Sequence, residues 1–245
     1  MHLPDPRVPP LFTGHAVKAP DTPLATAIAG AKAGTRGAGD LIWSRNVRRA
    51  TLALILEPEV PLPICGQMMP LAAAAVAETL GAIAPPQIAV MFGWPDAILI
   101  NGGKAGSITL TAPADATDDA PPAWLILSID LALDTSDLPG EPGERAGETC
   151  LYEEGAGDVT RTDVIEALST RLLAWLHTWQ HDGFRPIYDQ YFFRVEREAD
   201  ITLTDHAGTT HTGRLMGLDE TSAALLKNPD SKTSALPFTP FIARA

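Results

Sequence analysis

The residue with the most specific chemical setting in this chain is Lys104, which follows Asn101-Gly102-Gly103 and precedes Ala105-Gly106-Ser107. An ammonium group fixed at the start of a strand suits an anionic ligand, and Gly103 and Gly106 would let that ligand approach the main chain closely. Arg45, Arg48 and Arg49 form the only basic cluster. Three arginines can line a pocket for one phosphate or carboxylate, but they are too few for a polynucleotide. Other constellations carry less. His177 and His181 stand four apart, as a metal pair would, without a third ligand in view, so no metal site is read. The run Gly102 to Ser107 lacks the spacing of a phosphate loop before its Gly-Lys, and Ser44, Ser107 and Ser128 have no nucleophile-elbow setting. Cys65 and Cys150 fit neither a disulfide scaffold nor a metal knuckle, which suits a reducing cytoplasm.

The elements that must position Lys104 are legible around it. Ile98–Ile100 and Ser107–Leu110 have strand composition, and Asn101-Gly102-Gly103 supplies the positive-φ residues of a tight hairpin. Upstream, the pattern predicts a helix over Leu24–Ala33 and strands at Leu41–Trp43 and Arg49–Leu56. A further helix should begin at Pro70 and stop at Gly81. Downstream, Trp124–Leu133 reads as a long central strand, followed by an acidic excursion, Asp134–Gly147, and by Cys150 on a strand. Asp163–Gln180 is the best helix, capped by Thr162 or Asp163 and closed by Gly183. After Glu198, short alternating segments with turn residues predict a small β unit, placing a boundary between 1–195 and 196–245.

Composition bounds the partners. The 245 residues carry 30 acidic and 18 basic side chains, a formal charge of -12, which repels nucleic acid and anionic membranes. The N-terminus has no secretory pattern, and the longest apolar run, Leu71–Ala77, is far short of the about 20 residues that span a bilayer.

The order of these pieces resembles the biotin protein ligase and lipoate ligase superfamily. Gly39-Asp40-Leu41-Ile42 is similar to the strand leading into that family's ligand loop. Trp94-Pro95-Asp96 with Lys104-Ala105-Gly106 is similar to its Trp-Pro-Asn-Asp and Lys-x-Ala-Gly signatures. Leu127-Ser128-Ile129-Asp130 resembles its Gly-Ile-Asn strand, Thr149-Cys150-Leu151 its Thr-Ser-Leu, and the Gly213–Leu226 meander its small C-terminal domain. The resemblance implies an α/β (α+β) catalytic domain like that of class II aminoacyl synthetases, with a mixed sheet and a small SH3-like β domain. It implies Lys104 as the catalytic cation on the carboxylate and α-phosphate, and Trp94, Asp96, Gly106, Asp130, Arg45 and Arg48 as ligand-binding residues. ATP with Mg would form an acyl adenylate from biotin or lipoate, and a biotinyl or lipoyl carrier domain would accept the acyl group.

Departures from the pattern fall on the ligand-binding parts. The Gly-Arg-Gly loop expected after Ile42 is replaced by Trp43-Ser-Arg-Asn-Val-Arg-Arg49, Gly93 replaces a lysine, Ala97 an aspartate, and Asp130 an asparagine. Two readings follow: a divergent acyl ligase, or a catalytically inactive homologue that binds a small ligand or a carrier protein. A third, an interaction protein, would need an exposed apolar patch at Tyr191–Phe193.

Overall fold

A computed structural model describes residues 3–136, 145–196, 200–228 and 232–245. The centre of the acidic excursion and part of the expected boundary near Glu198 therefore lie outside the described residues. In chain order the elements are β1 (Thr13–Val17), α1 (Pro23–Lys32), β2 (Asp40–Ser44), β3 (Arg49–Leu56), α2 (Leu62–Cys65), α3 (Met68–Ile83), β4 (Val90–Gly93), β5 (Ala97–Ile100), β6 (Gly103–Ala112) and β7 (Leu125–Ala132). There follow α4 (Arg161–Asp182), α5 (Arg185–Phe192), β8 (Asp200–Thr204), β9 (Thr210–Leu218), β10 (Ala224–Lys227), β11 (Thr233–Leu236) and β12 (Ala243–Arg244).

The large sheet runs β1-β2-β3-β7-β6-β5-β4, with β12 added beside β6. It is mixed, because β1 pairs with β2 and β12 with β6 in parallel, while the other pairs are antiparallel. Alternation along the strands divides its faces. Leu52, Leu54, Ile108, Leu110, Leu127 and Ile129 point into the main core with α3 and α4, whereas Ala53, Ile55 and Ile126 pack under α1 on the opposite side. A separate antiparallel sheet, β11-β10-β9-β8, forms the small C-terminal β unit. The chain's last residues do not stay with that unit: β12 returns to the large sheet.

Several expected boundaries shift for local reasons. The helix expected to start at Pro70 begins at Met68, with Pro70 in the first turn where its missing N–H removes no intrahelical bond. It passes through Gly81 and ends at Ile83, and the next residue, Ala84, is extended (φ -92°, ψ 159°) because Pro85 follows. Since α3 is apolar on nearly every side, burial outweighs the helix penalty of one glycine. Neither Thr162 nor Asp163 caps α4. Thr160 does, in a reciprocal box where the Asp163 amide donates to Thr160 Oγ1 (3.3 Å) and the Thr160 amide to Asp163 Oδ2 (3.0 Å). Cys150 lies in irregular structure rather than on a strand, and the aromatic stretch after Gly183 is the short helix α5. Within that stretch Tyr191 is buried while Phe193 is 76% exposed, so the expected patch is split between core and surface.

Candidate functional site

Beyond α1, the face of the large sheet that carries Ala53 and Ile126 turns polar. Register places Thr51 and Ser107 on either side of Asp130, and Thr109 opposite Ser128, so these side chains share that face with Arg49. At its margin lies the hairpin that carries Lys104. Asn101 (φ 50°) and Gly102 (φ 89°) form its two-residue turn, as positive φ at both central positions requires. The turn is tied down by the Asn101 side chain, which accepts from the Ala89 amide (2.9 Å) and donates to Glu154 Oε2 (2.7 Å).

Lys104 is held by its backbone on both sides. It pairs across to Leu99 beside a bulge, its N–H donates to Gly147 O (2.7 Å), and its carbonyl accepts from the Thr149 amide (3.0 Å). The neighbouring glycines serve chain-to-chain approach. A Cβ at Gly103 would lie 2.8 Å from Thr149 Cγ2, and one at Gly106 would collide with the backbone oxygen of Asp130. The structure thus gives both glycines a packing reason that the ligand-approach reading did not consider.

Arg49, Lys104, Gly106, Asp130, Arg145 and Glu148 line a cavity of about 170 Å³. Asp130 is fully engaged within it. Arg49 donates Nε to Asp130 Oδ1 (2.9 Å) and Oδ2 (3.2 Å), its Nη2 donates to Oδ2 as well, and Thr51 Oγ1 donates to Oδ1 (2.6 Å). Arg145 Nη2 donates to Glu153 Oε1 (3.0 Å) and Thr135 Oγ1 (2.5 Å), but its Nη1 is buried with no partner among the described residues. The Lys104 side chain is exposed and has no hydrogen-bond or ion-pair partner among them either. Two cationic groups with unused donors therefore border one small space, an arrangement that takes an anion.

The remaining expected site residues lie elsewhere. Asp96 borders a second cavity, of about 350 Å³, with Thr109, Thr111, His206, Phe238 and Phe241. Trp94 lines neither cavity: its ring is buried edge-on against Phe238 (5.9 Å) and Phe241 (4.9 Å), so it is a core aromatic. Arg45 is drawn away by a two-pronged pair with Asp5 (2.6 and 2.7 Å), and Arg48 Nη1 donates to Ser136 (3.1 Å). Only four residues join β2 to β3, too few for a loop that folds over the face. Burial pushes the Cys65 thiol up to about 11, leaving it neutral, and Cys150 is also buried. Of the expected basic cluster only Arg49 lines this space. Thr51 and Arg145 were not expected there: alternation from Arg49 carried a signal for Thr51, whereas Arg145 reaches Thr135 and Glu153 from a loop, which left none.

Residues 8–193 match the model of the biotin/lipoate A/B protein ligase family. The chain belongs to this family. Among family relatives, the biotin--[acetyl-CoA-carboxylase] ligase of Paracoccus denitrificans is 22% identical over 198 residues, covering 79% of this chain and 80% of its own. The bifunctional ligase/repressor of Bacillus spizizenii is 25% identical over 224 residues, 89% of this chain but 66% of its own length. A biotin protein ligase-like protein of unknown function from Silicibacter sp. TM1040 superposes with a TM-score of 0.85 at 29% identity, over 97% of this chain and 99% of that one. The biotin protein ligase of Aquifex aeolicus in complex with biotin and ATP gives 0.69 at 16% identity, over 91% and 95%, a likeness of fold.

Proposed function

We propose that the chain binds a small carboxylate at the polar end of its large sheet, with Lys104 and Arg145 supplying the cationic donors. The observation that carries this reading is the pair of unused donors, Lys104 Nζ and Arg145 Nη1, on one cavity. The family supports the ligand class, since the Aquifex aeolicus enzyme is solved with biotin and ATP. The short β2–β3 connection and the engaged Asp130 favour a ligand-binding homologue of residues 1–195, with 196–245 as its β appendage, over an active ligase. No group of three His, Cys, Asp or Glu side chains that could hold a metal occurs among the described residues, and Asp96 borders the other cavity. No described helix is long and apolar enough to cross a membrane, in keeping with the cytoplasmic setting we assign.

The second reading, ATP-dependent transfer of biotin or lipoate to a carrier domain, is favoured by Lys104 in the family's signature position. Calorimetry with biotin, lipoate and octanoate, with and without ATP and Mg, separates the two. We expect one carboxylate to bind without pyrophosphate release and Lys104→Ala to weaken it about tenfold, the loss of one charged hydrogen bond. Pyrophosphate release abolished by Lys104→Ala would establish the transfer reading, and failure of all three acids to bind would overturn both.

A further inference from the structure

Asp130 occupies the middle of the polar face with both carboxylate oxygens engaged by Arg49 and Thr51. The planar guanidinium thus presents to an internal carboxylate the same fork that would grip a phosphate. Across the space, Arg145 is paired with Glu153, and Glu148 adds another carboxylate to the wall. The formal charges of Arg49, Lys104 and Arg145 are offset by those of Asp130, Glu148 and Glu153. Such a lining can take one negative charge beside Lys104. Several charges on adjoining phosphates would meet Asp130 and Glu148 at short range in half-buried surroundings, where repulsion is weakly screened.

We propose that Asp130 sets the ligand class of this cavity: as the internal counter-ion of Arg49, it reserves the space for a singly charged carboxylate and keeps di- and triphosphates out. The proposal rests on the carboxylate reading above but concerns a different ligand, so the two can fail separately.

The probe is inorganic pyrophosphate, titrated by calorimetry into the full chain without metal and then, as a competitor, into the chain holding its carboxylate. The natural chain should show no binding and no displacement. Asp130→Asn keeps the size of the side chain and an acceptor for Thr51 while removing the charge, and it should bind pyrophosphate at least about tenfold more tightly, the effect of one nearby charge. The gain should vanish in Arg49→Gln/Asp130→Asn, which also removes the guanidinium that Asp130 holds in the natural chain. Asp130→Ser, a smaller neutral residue facing Ser107, is measured beside Asp130→Asn so that poor folding of one leaves the other. Pyrophosphate binding to the natural chain at the affinity of the variants overturns the proposal, as do folded variants that gain nothing or a double variant that keeps the gain. Failure of carboxylates to bind the natural chain overturns the ligand reading instead.

Discussion

Lys104, Gly106 and Asp130 meet because neighbouring strands carry them, and strand neighbours with a clean period of two are what a sequence displays best. The role of Gly106 was less visible. Its missing side chain reads in one dimension as room for a ligand, but in three it is room for β7, since a Cβ would run into the Asp130 carbonyl. Gly106→Ala must therefore push β6 away from β7 at the point where Asp130 is held. Forcing a methyl group into such a contact costs about 1–3 kcal/mol, and here it should also loosen ligand binding by moving Lys104. Urea unfolding with calorimetry on the same variant checks both. An alanine variant with natural stability would return the glycine to a ligand-facing role.

At the scale of elements, β2, β3 and β7 were legible to within a residue or so, but β1, β11 and β12 went unread and Cys150 was wrongly set on a strand; the other errors gathered at helix ends. Gly81 was read as a stop, but α3 is buried on nearly every side and continues until Pro85 makes helix impossible. The cap of α4 was misplaced by two or three residues, because Thr160, Thr162 and Asp163 all have capping side chains and only the reciprocal Thr160–Asp163 geometry decides among them. The β8–β9 hairpin shows what local chemistry does once the turn is known. Its Asp205 carboxylate accepts from His211 Nε2 (3.0 Å) and from the amides of Thr209 (2.9 Å) and Ala207 (2.9 Å). The His211 hydrogen bond, with the Thr209 and Ala207 amides, holds this carboxyl below the usual aspartate range against a small opposing effect of burial. A group depressed in the folded state contributes stability above its unfolded pKa of about 3.9 and loses it as pH falls through the folded value. The hairpin should accordingly keep its amide protection from neutral pH down to about pH 4 and lose it below. In Asp205→Asn that acid step should disappear from hydrogen exchange at Ala207 and Thr209, and an unchanged step would assign it to another carboxylate.

On the scale of the whole molecule, the two sheets are joined by contacts between residues far apart in sequence, which no local pattern announces. Phe238 and Phe241 enclose Trp94, β12 adds to β6, and the main core takes in Leu215, Leu218 and Leu226 of the small sheet. Gln67, just before α3, makes the most specific of these links. Its Nε2 donates to the Glu220 carbonyl (2.6 Å), beside the β9–β10 turn, and its Oε1 accepts from Trp179 Nε1 (2.6 Å) on α4. Nothing in the sequence around Gln67 distinguishes it from a surface glutamine, yet it is buried and both ends of its amide are used. Gln67→Leu keeps the bulk while stranding one donor and one acceptor; since Trp179 is half-buried and Glu220 exposed, water reaches both and the loss should stay at about 1 kcal/mol for each hydrogen bond. Because the core is continuous through both sheets, the loss should lower one shared transition rather than release the small sheet alone. Tryptophan fluorescence, far-ultraviolet dichroism and the amide signals of β9 should therefore give the same urea midpoint in the natural chain, and the same lower one in Gln67→Leu. If β9 melts first in the natural chain, the two sheets are separate folding units and the β appendage is only docked on the ligand-binding sheet. If it melts first only in the variant, Gln67 is what couples them.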